Sequence, residues 1–219
     1  MNGPPVRVLV VAKAPVPGLA KTRLGAVVGD EAAAELAAAG LLDTLEASRS
    51  LTPDCVIALT GDLERAARSD EIRAALADWT VICQRGEGFA ERLVHAHHDA
   101  GQGALLQIGM DTPQVTGEML AEAATLLEHH DAVLGPADDG GWWVLGRHRA
   151  EHTDAVGGVP MSTGTTCKDT KRALTTQGLD VGIARTLKDV DVVADARDVA
   201  VGAPHTRFAQ VWRAQGENT

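Results

Sequence analysis

The chain has 219 residues and a formal net charge of −10. Hydrophobic residues make up 45% and charged residues 23% of it, which excludes a disordered or membrane-embedded chain and suits one domain, residues 1–219, with a real core. The negative charge repels nucleic-acid backbones and anionic membranes, so the expected partner is a small molecule. There is no tyrosine, with two phenylalanines and four tryptophans, so the core must be built of Ala, Val and Leu. Cys55, Cys83 and Cys167 lack metal-site spacing and suggest reduced, mostly buried thiols. No run approaches the roughly 18 apolar residues of a spanning helix, and the N-terminus has no leader pattern. The expected location is cytoplasmic.

Val6 to Ala12 is continuously aliphatic, the pattern of a strand buried on both faces of a parallel sheet. It runs into a loop in which Pro15, Pro17 and Gly18 stiffen and turn the chain, and in which Lys13, Lys21 and Arg23 reverse the prevailing charge. Three cations at the C-terminal edge of a first strand suit a polyphosphate, although a solvated basic turn has the same composition. The loop is neither Gly-x-Gly-x-x-Gly nor Gly-x-x-x-x-Gly-Lys-Ser/Thr. Asp30 offers an N-cap to an Ala- and Leu-rich helix. Residues 54–60 read as a second strand, Asp62 as the cap of a helix through about Leu76, and Trp79 to Cys83 as a third strand. A helix from about Phe89 to Ala100 and a strand from Ala104 to Met110 follow, and the strand ends on Asp111. Thr116 opens another helix, and Asp131 to Ala137 forms a strand ending on Asp138, Asp139, Gly140 and Gly141. Trp142 to Gly146, a helix beyond Met161 and a strand over residues 179–184 complete the alternation, with one or two terminal helices after an acidic tail. Such alternation predicts an α/β protein with three layers and a Rossmann-like, mixed sheet.

Several of these residues can carry chemistry. Asp111 is held at a sheet edge by Pro113 and offers the hard oxygen that Mg²⁺ prefers; capping a turn would also account for it. Asp138 and Asp139 precede two glycines that allow a ligand close to the backbone, and either carboxylate can accept a proton. Trp142 and Trp143 must point to opposite faces of their strand, one toward a pocket and one into the core. In the acidic tail Asp189 and Asp195 read as turn and cap residues, whereas Asp191 is a candidate second metal ligand. His95, His97 and His98 read as a partly exposed polar helix face. His148 and His152 lack the HExxH pattern and any partnering Cys, so zinc is not expected.

Taken together, AKAPVPGLAKTRL (12–24), GFAERL (88–93), IGMDTP (108–113), LGPADDGGWWVLG (134–146), VPMST (159–163) and KDVDVVADARDV (188–199) resemble the bacterial family DUF2064. The resemblance spans nearly the whole chain and places it in the GT-A nucleotide-diphospho-sugar transferase superfamily, with a more distant similarity to guanylyltransferases and molybdenum-cofactor nucleotidyltransferases. It implies that Lys13, Gly18, Lys21 and Arg23 hold nucleotide phosphates and that Asp111, with Asp191, binds Mg²⁺ or Mn²⁺. It further implies that Asp139 or Asp138 acts on the acceptor, and that Gly140, Gly141, Trp142, Ser162 and Thr163 contact substrate. Met110, Trp142 and Met161 depart from the residues usual in the family, as do Val192 and Val193, and this bears on acceptor and sugar specificity.

The resulting expectation is a metal-dependent transferase using a nucleotide or nucleotide-sugar donor and a small-molecule acceptor. A glycosyltransferase is preferred, with a nucleotidyltransferase releasing pyrophosphate as the alternative and a non-catalytic nucleotide-binding module as the third.

Overall fold

The computed structural model of the protein describes residues 6–216. The first strand, β1 (Arg7–Lys13), is buried from Val8 to Ala12, as its aliphatic run requires. It pairs in parallel with β2 (Cys55–Thr60) and β4 (Leu105–Ile108), while β3 (Thr80–Cys83) joins the outer edge of β2, also in parallel. The remaining strands are β5 (Ala132–Pro136), β6 (Trp142–Arg147) and β7 (Val181–Ile183). β6 runs antiparallel between β4 and β5, and β7 closes the other edge in parallel with β5. The order β3-β2-β1-β4-β6-β5-β7 makes a mixed, mostly parallel sheet in an α/β fold of the Rossmann-like, GT-A kind. From β1 the chain moves outward to β2 and β3, then returns to place β4 on the opposite side. Strand order therefore reverses between β1 and β4, which opens a crevice at their C-terminal ends.

Both faces of the sheet are covered. On one, α2 (Asp30–Leu51), α3 (Ser69–Ala75) and α5 (Gly117–Leu127) pack Leu41, Leu45, Ile72 and Leu120 against Val8, Val10, Ile57 and Leu106. On the other, α4 (Phe89–Asp99) packs Leu93 and Ala96 against Leu9, Val11 and Ala58. Beside it, α6 (Thr166–Thr176) brings Leu174 against Leu134 and Leu145. α2 is apolar on nearly every side because it is covered twice. Its second face, Ala33, Leu36 and Ala39, packs against α1 (Thr22–Val28), α7 (Val193–Gly202) and α8 (Arg207–Gly216) through Leu24, Ala200 and Phe208.

Several boundaries differ from the sequence expectation. Asp30 lies inside α2, and Gly29, at φ 92°, is the residue before its first turn. The short helix α1 ends there, and a glycine lets the chain turn from one helix directly into the next. The Asp62 carboxylate accepts from the Glu64 N–H at 2.9 Å, but it caps only a 3-10 turn over Leu63–Arg65. Arg68, at φ 53°, breaks the chain before α3. Thr116 does cap its helix, accepting from the Met119 N–H. Of the thiols only Cys55 is buried, and Cys83 is exposed.

His97 is fully buried rather than part of an exposed face. The buried Arg147 donates to the carbonyls of His97 and Gly101, both at 2.7 Å, and of Gly103 at 2.8 Å. Burial, with the Arg147 cation nearby, pushes His97 down to about 3, so the ring is neutral at physiological pH. Arg147 thereby ties the end of α4 to β6 through backbone oxygens that would otherwise be unpartnered.

Asp43, buried on the outer side of α2, accepts from the backbone N–H groups of Arg207 (3.0 Å) and Phe208 (2.9 Å) and from the Arg207 guanidinium (3.2 Å). These amides open α8 and have no partner within the helix. Asp43→Ala is expected to destabilise the fold by about 1–3 kcal/mol, measured as a lower urea midpoint with little change in slope.

Candidate functional site

The crevice between β1 and β4 is a cleft of about 560 Å³. One wall is the loop after β1. There Gly18 takes φ 72° and Lys21 the left-handed φ 49°, and this twist carries the Lys21 side chain back toward the sheet edge. Its Nζ lies 2.6 Å from Asp111 Oδ1 and 3.7 Å from Asp191 Oδ1, and it also donates to the Val190 carbonyl. The Arg23 guanidinium is 3.2 Å from Asp191 Oδ2. Two of the three cations expected to hold phosphate are thus paired with the two carboxylates expected to hold metal. Lys13, which also lines the cleft, makes no side-chain ion pair among the described residues.

The opposite wall comes from the C-terminal ends of β4 and β5 and from the extended segment after β7. The turn after β5 closes through the Gly140 N–H to the Ala137 carbonyl, 3.0 Å. Gly140, at φ 91°, presses against Gly164, where a Cβ would stand 2.2 Å from the carbonyl oxygen. No other residue fits that contact. The Asp139 Oδ1 accepts from the Gly141 N–H at 2.6 Å, which fixes the carboxylate over the cleft. The segment after β7 is stitched to both strand ends: Leu187 N–H donates to the Pro136 carbonyl, Asp138 N–H to the Leu187 carbonyl, and Val190 N–H to the Asp111 carbonyl at 2.8 Å. Val190 points inward and is buried, so Asp189 and Asp191, one residue to either side of it, share the opposite direction. Carboxylate oxygens of Asp139, Asp189 and Asp191 then lie within 4.8 Å of one another.

Three carboxylates at this separation, some of them half-buried, suit a hard divalent cation. Asp189 is the missed member, since the sequence suggested only a turn residue. Its signal was the Asp-Val-Asp spacing itself, which in an extended chain puts both carboxylates on one side. Burial first, then the charges of Asp139 and Asp191, raise the Asp189 carboxyl to about 6. Asp195 takes the modest role expected of it, accepting from the Asp191 and Val192 N–H groups at the start of α7.

Of the remaining candidates, Asp139, Gly141, Trp142 and Ser162 line the cleft, whereas Gly18, Asp138, Gly140 and Thr163 do not. Gly18 and Gly140 shape its walls through the backbone. Trp142 and Trp143 do point to opposite faces. The Trp142 indole N–H donates to Thr170 at 3.2 Å, and that of Trp143 to the Arg185 carbonyl at 2.8 Å. Thr60, Gln84, Phe89, Arg92 and Gln107 also line the cleft; Phe89 and Arg92 belong to the GFAERL stretch (88–93), whereas the other three carry no motif that would have singled them out.

The fold and the position of the cleft define the class of nucleotide-handling α/β transferase folds. The chain belongs to the family DUF2064, described as an uncharacterized protein conserved in bacteria, whose profile matches residues 42–163, more than half of it. A solved structure from Desulfovibrio desulfuricans G20, provisionally assigned as a nucleotide-diphospho-sugar transferase, is 28% identical, covering 97% of this chain and 95% of that one at a TM-score of 0.84. A nucleotidyl transferase from Methanothermobacter thermautotroptrophicus (16% identity, 95% and 99% covered, TM-score 0.57) shares the fold. So does a 4-diphosphocytidyl-2C-methyl-D-erythritol synthase from Anaerococcus prevotii (10%, 92% and 97%, TM-score 0.59). No curated protein matches the chain in sequence. No helix among the described residues is long and apolar enough to cross a membrane.

The raised Asp189 carboxyl has a consequence for stability. Between the ordinary value of 3.8 and about 6 the folded chain holds a proton that the unfolded chain has released, so stability from this group is complete below about 4 and lost as pH rises through 6. Asp189→Asn is expected to raise the melting temperature at pH 7.5 and to leave it nearly unchanged at pH 4, as followed by thermal unfolding across that range.

Proposed function

We propose that the protein is a metal-dependent transferase acting on a nucleotide-activated donor, with a nucleotide-diphospho-sugar as the preferred donor. The observation that carries this reading is the juxtaposition, across one cleft at the strand-order reversal, of a cationic loop and a cluster of three carboxylates. Neither wall alone suits a small neutral ligand. Together they suit a phosphate-bearing donor that brings a divalent cation with it.

Asp139, Asp189 and Asp191 would hold Mg²⁺ or Mn²⁺, with Asp111 beside them and released from Lys21. The cation supplies charge neutralisation at the donor's phosphate oxygens. Lys13 supplies an unpaired ammonium on the opposite wall. Lys21, already nine-tenths covered in its ion pair with Asp111, is placed to neutralise whichever anion lies at this edge, a carboxylate before binding and a phosphate oxygen after it. Cations fixed before the reaction need no rearrangement as charge builds on the leaving group. Of the two carboxylates expected to act on the acceptor, Asp138 stands outside the cleft; Asp139 lines it, and as a ligand of the cation it would act on the acceptor by positioning rather than by taking its proton. The acceptor would enter beside Gly141, Trp142 and Ser162.

Sugar transfer is preferred to nucleotidyl transfer because Arg23 stays paired with Asp191 at 3.2 Å, which leaves Lys13 and Lys21 for phosphate, fewer cations than a triphosphate tail demands. The similarity to the Desulfovibrio desulfuricans protein supports the same preference. With nucleotide sugars, a divalent cation and candidate acceptors, the expected product is a nucleoside diphosphate; pyrophosphate from a nucleoside triphosphate would establish the alternative. Asp191→Asn is expected to lower turnover roughly 10²–10³-fold while leaving the far-ultraviolet circular dichroism unchanged. Binding with no turnover under any combination would support a non-catalytic module.

A further inference from the structure

The Lys21 ammonium already stands among the carboxylates proposed to hold the cation. It lies 2.6 Å from Asp111 Oδ1 and 3.7 Å from Asp191 Oδ1, and Asp191 belongs to the three whose oxygens gather within 4.8 Å of one another. A divalent ion on that cluster must therefore share Asp191 with a lysine. The Val190 carbonyl accepts a further proton of the ammonium, and only 11% of the side chain is exposed. Lys21 reaches this seat from a left-handed backbone, φ 49° and ψ 44°, which a residue bearing a Cβ adopts at a cost. A lysine that merely awaited a phosphate would need neither the strain nor the burial.

Around it, the carboxylates of Asp111, Asp139, Asp189 and Asp191 are paired, among the described residues, with Lys21 and Arg23 alone. A divalent ion entering by itself would set two positive charges beside an ammonium whose remaining partner there, the Val190 carbonyl, is neutral. Entry together with a phosphate removes that conflict, because the ammonium gains an anion of its own. Lysine suits the exchange. A point charge on a flexible stem can pass from one oxygen to another, whereas the planar fork of an arginine such as Arg23 is fitted to one carboxylate.

We infer that Lys21 is an internal counter-ion that competes with the divalent cation for Asp111 and Asp191, so that metal is taken up with the phosphate-bearing ligand rather than before it. The inference rests on the metal-dependent function proposed above and adds the order in which its parts bind. The coupling is reciprocal: a phosphate that draws Lys21 away tightens metal binding by the same factor as metal tightens the binding of the phosphate.

The test is titration of the full chain with Mn²⁺ alone, no nucleotide being present, followed by the electron paramagnetic resonance of the free ion. Lys21→Met is expected to lower the Mn²⁺ Kd roughly tenfold, the scale of removing one positive charge beside the ion. Adding Asp191→Asn to that variant is expected to reverse the gain, which locates the ion on the cluster. Equal Kd values for Lys21→Met and the unmodified protein would overturn the inference and leave the metal site standing. So would an equal gain from Lys13→Met, which removes the same charge from the cleft without freeing a carboxylate. A second measurement needs no variant: with Mn²⁺ at saturation, acetylation of Lys21 in the unmodified protein, read by mass spectrometry, is expected to run severalfold faster than without it. An unchanged rate would overturn the inference in the same way. Absence of Mn²⁺ binding by every one of these proteins would remove the metal-dependent function as well.

Discussion

The Lys21 ammonium is the point on which this sheet edge depends. Asp111 and Asp191 reach the same place from segments eighty residues apart in the chain, and Lys21 lies within ion-pair distance of both. Bringing carboxylates together costs Coulomb energy that grows as solvent is withdrawn. Burial first, and then repulsion from Asp139 and Asp191, raise the Asp189 carboxyl, because Lys21 and Arg23 do not neutralise the whole group. A cation arriving with its ligand would relieve the rest. The site is therefore assembled in a state of charge imbalance, which weakens the fold locally and which the cation proposed above would correct.

That proximity is imposed by the topology. The reversal of strand order between β1 and β4 leaves space where two successive crossovers diverge, and the C-terminal segment fills one side of it. Hydrogen bonds from residues 187–190 to the ends of β4 and β5 hold this segment in place, and α7 and α8 clamp it by packing on the outer face of α2. α2 is thus more than a crossover. Its alanines admit helices on the side away from the sheet, and Asp43 fastens the last of them by its first turn. A helix with one polar face would leave the terminal acidic segment without a surface to return to.

Trp142 and Trp143 show how the same strand serves both core and cleft. Period-two alternation sends neighbouring side chains to opposite faces. Trp143 packs among the residues beneath α2 and α5, while Trp142 lies toward α4 and α6. Each indole N–H finds an acceptor, which lets Trp143 be buried and Trp142 half-buried in a protein otherwise poor in aromatics.

The alternation of strands and helices, the buried first strand, the basic loop and the carboxylates at the ends of β4 and β5 are all legible in the chain. These are local patterns: aliphatic runs, capping residues, prolines and glycines act within a few positions of where they stand. The sequence alone could not separate Asp189 from an ordinary turn residue, because its role depends on Asp139, fifty residues earlier, and on which side of Val190 faces the core. Nor could it show that Lys21 and Arg23 would meet Asp111 and Asp191, or that His97 would be buried against Arg147. The boundary of α2 was misplaced for the same reason, as Gly29 and the brief α1 before it are set by packing against α7 and α8 rather than by any capping signal.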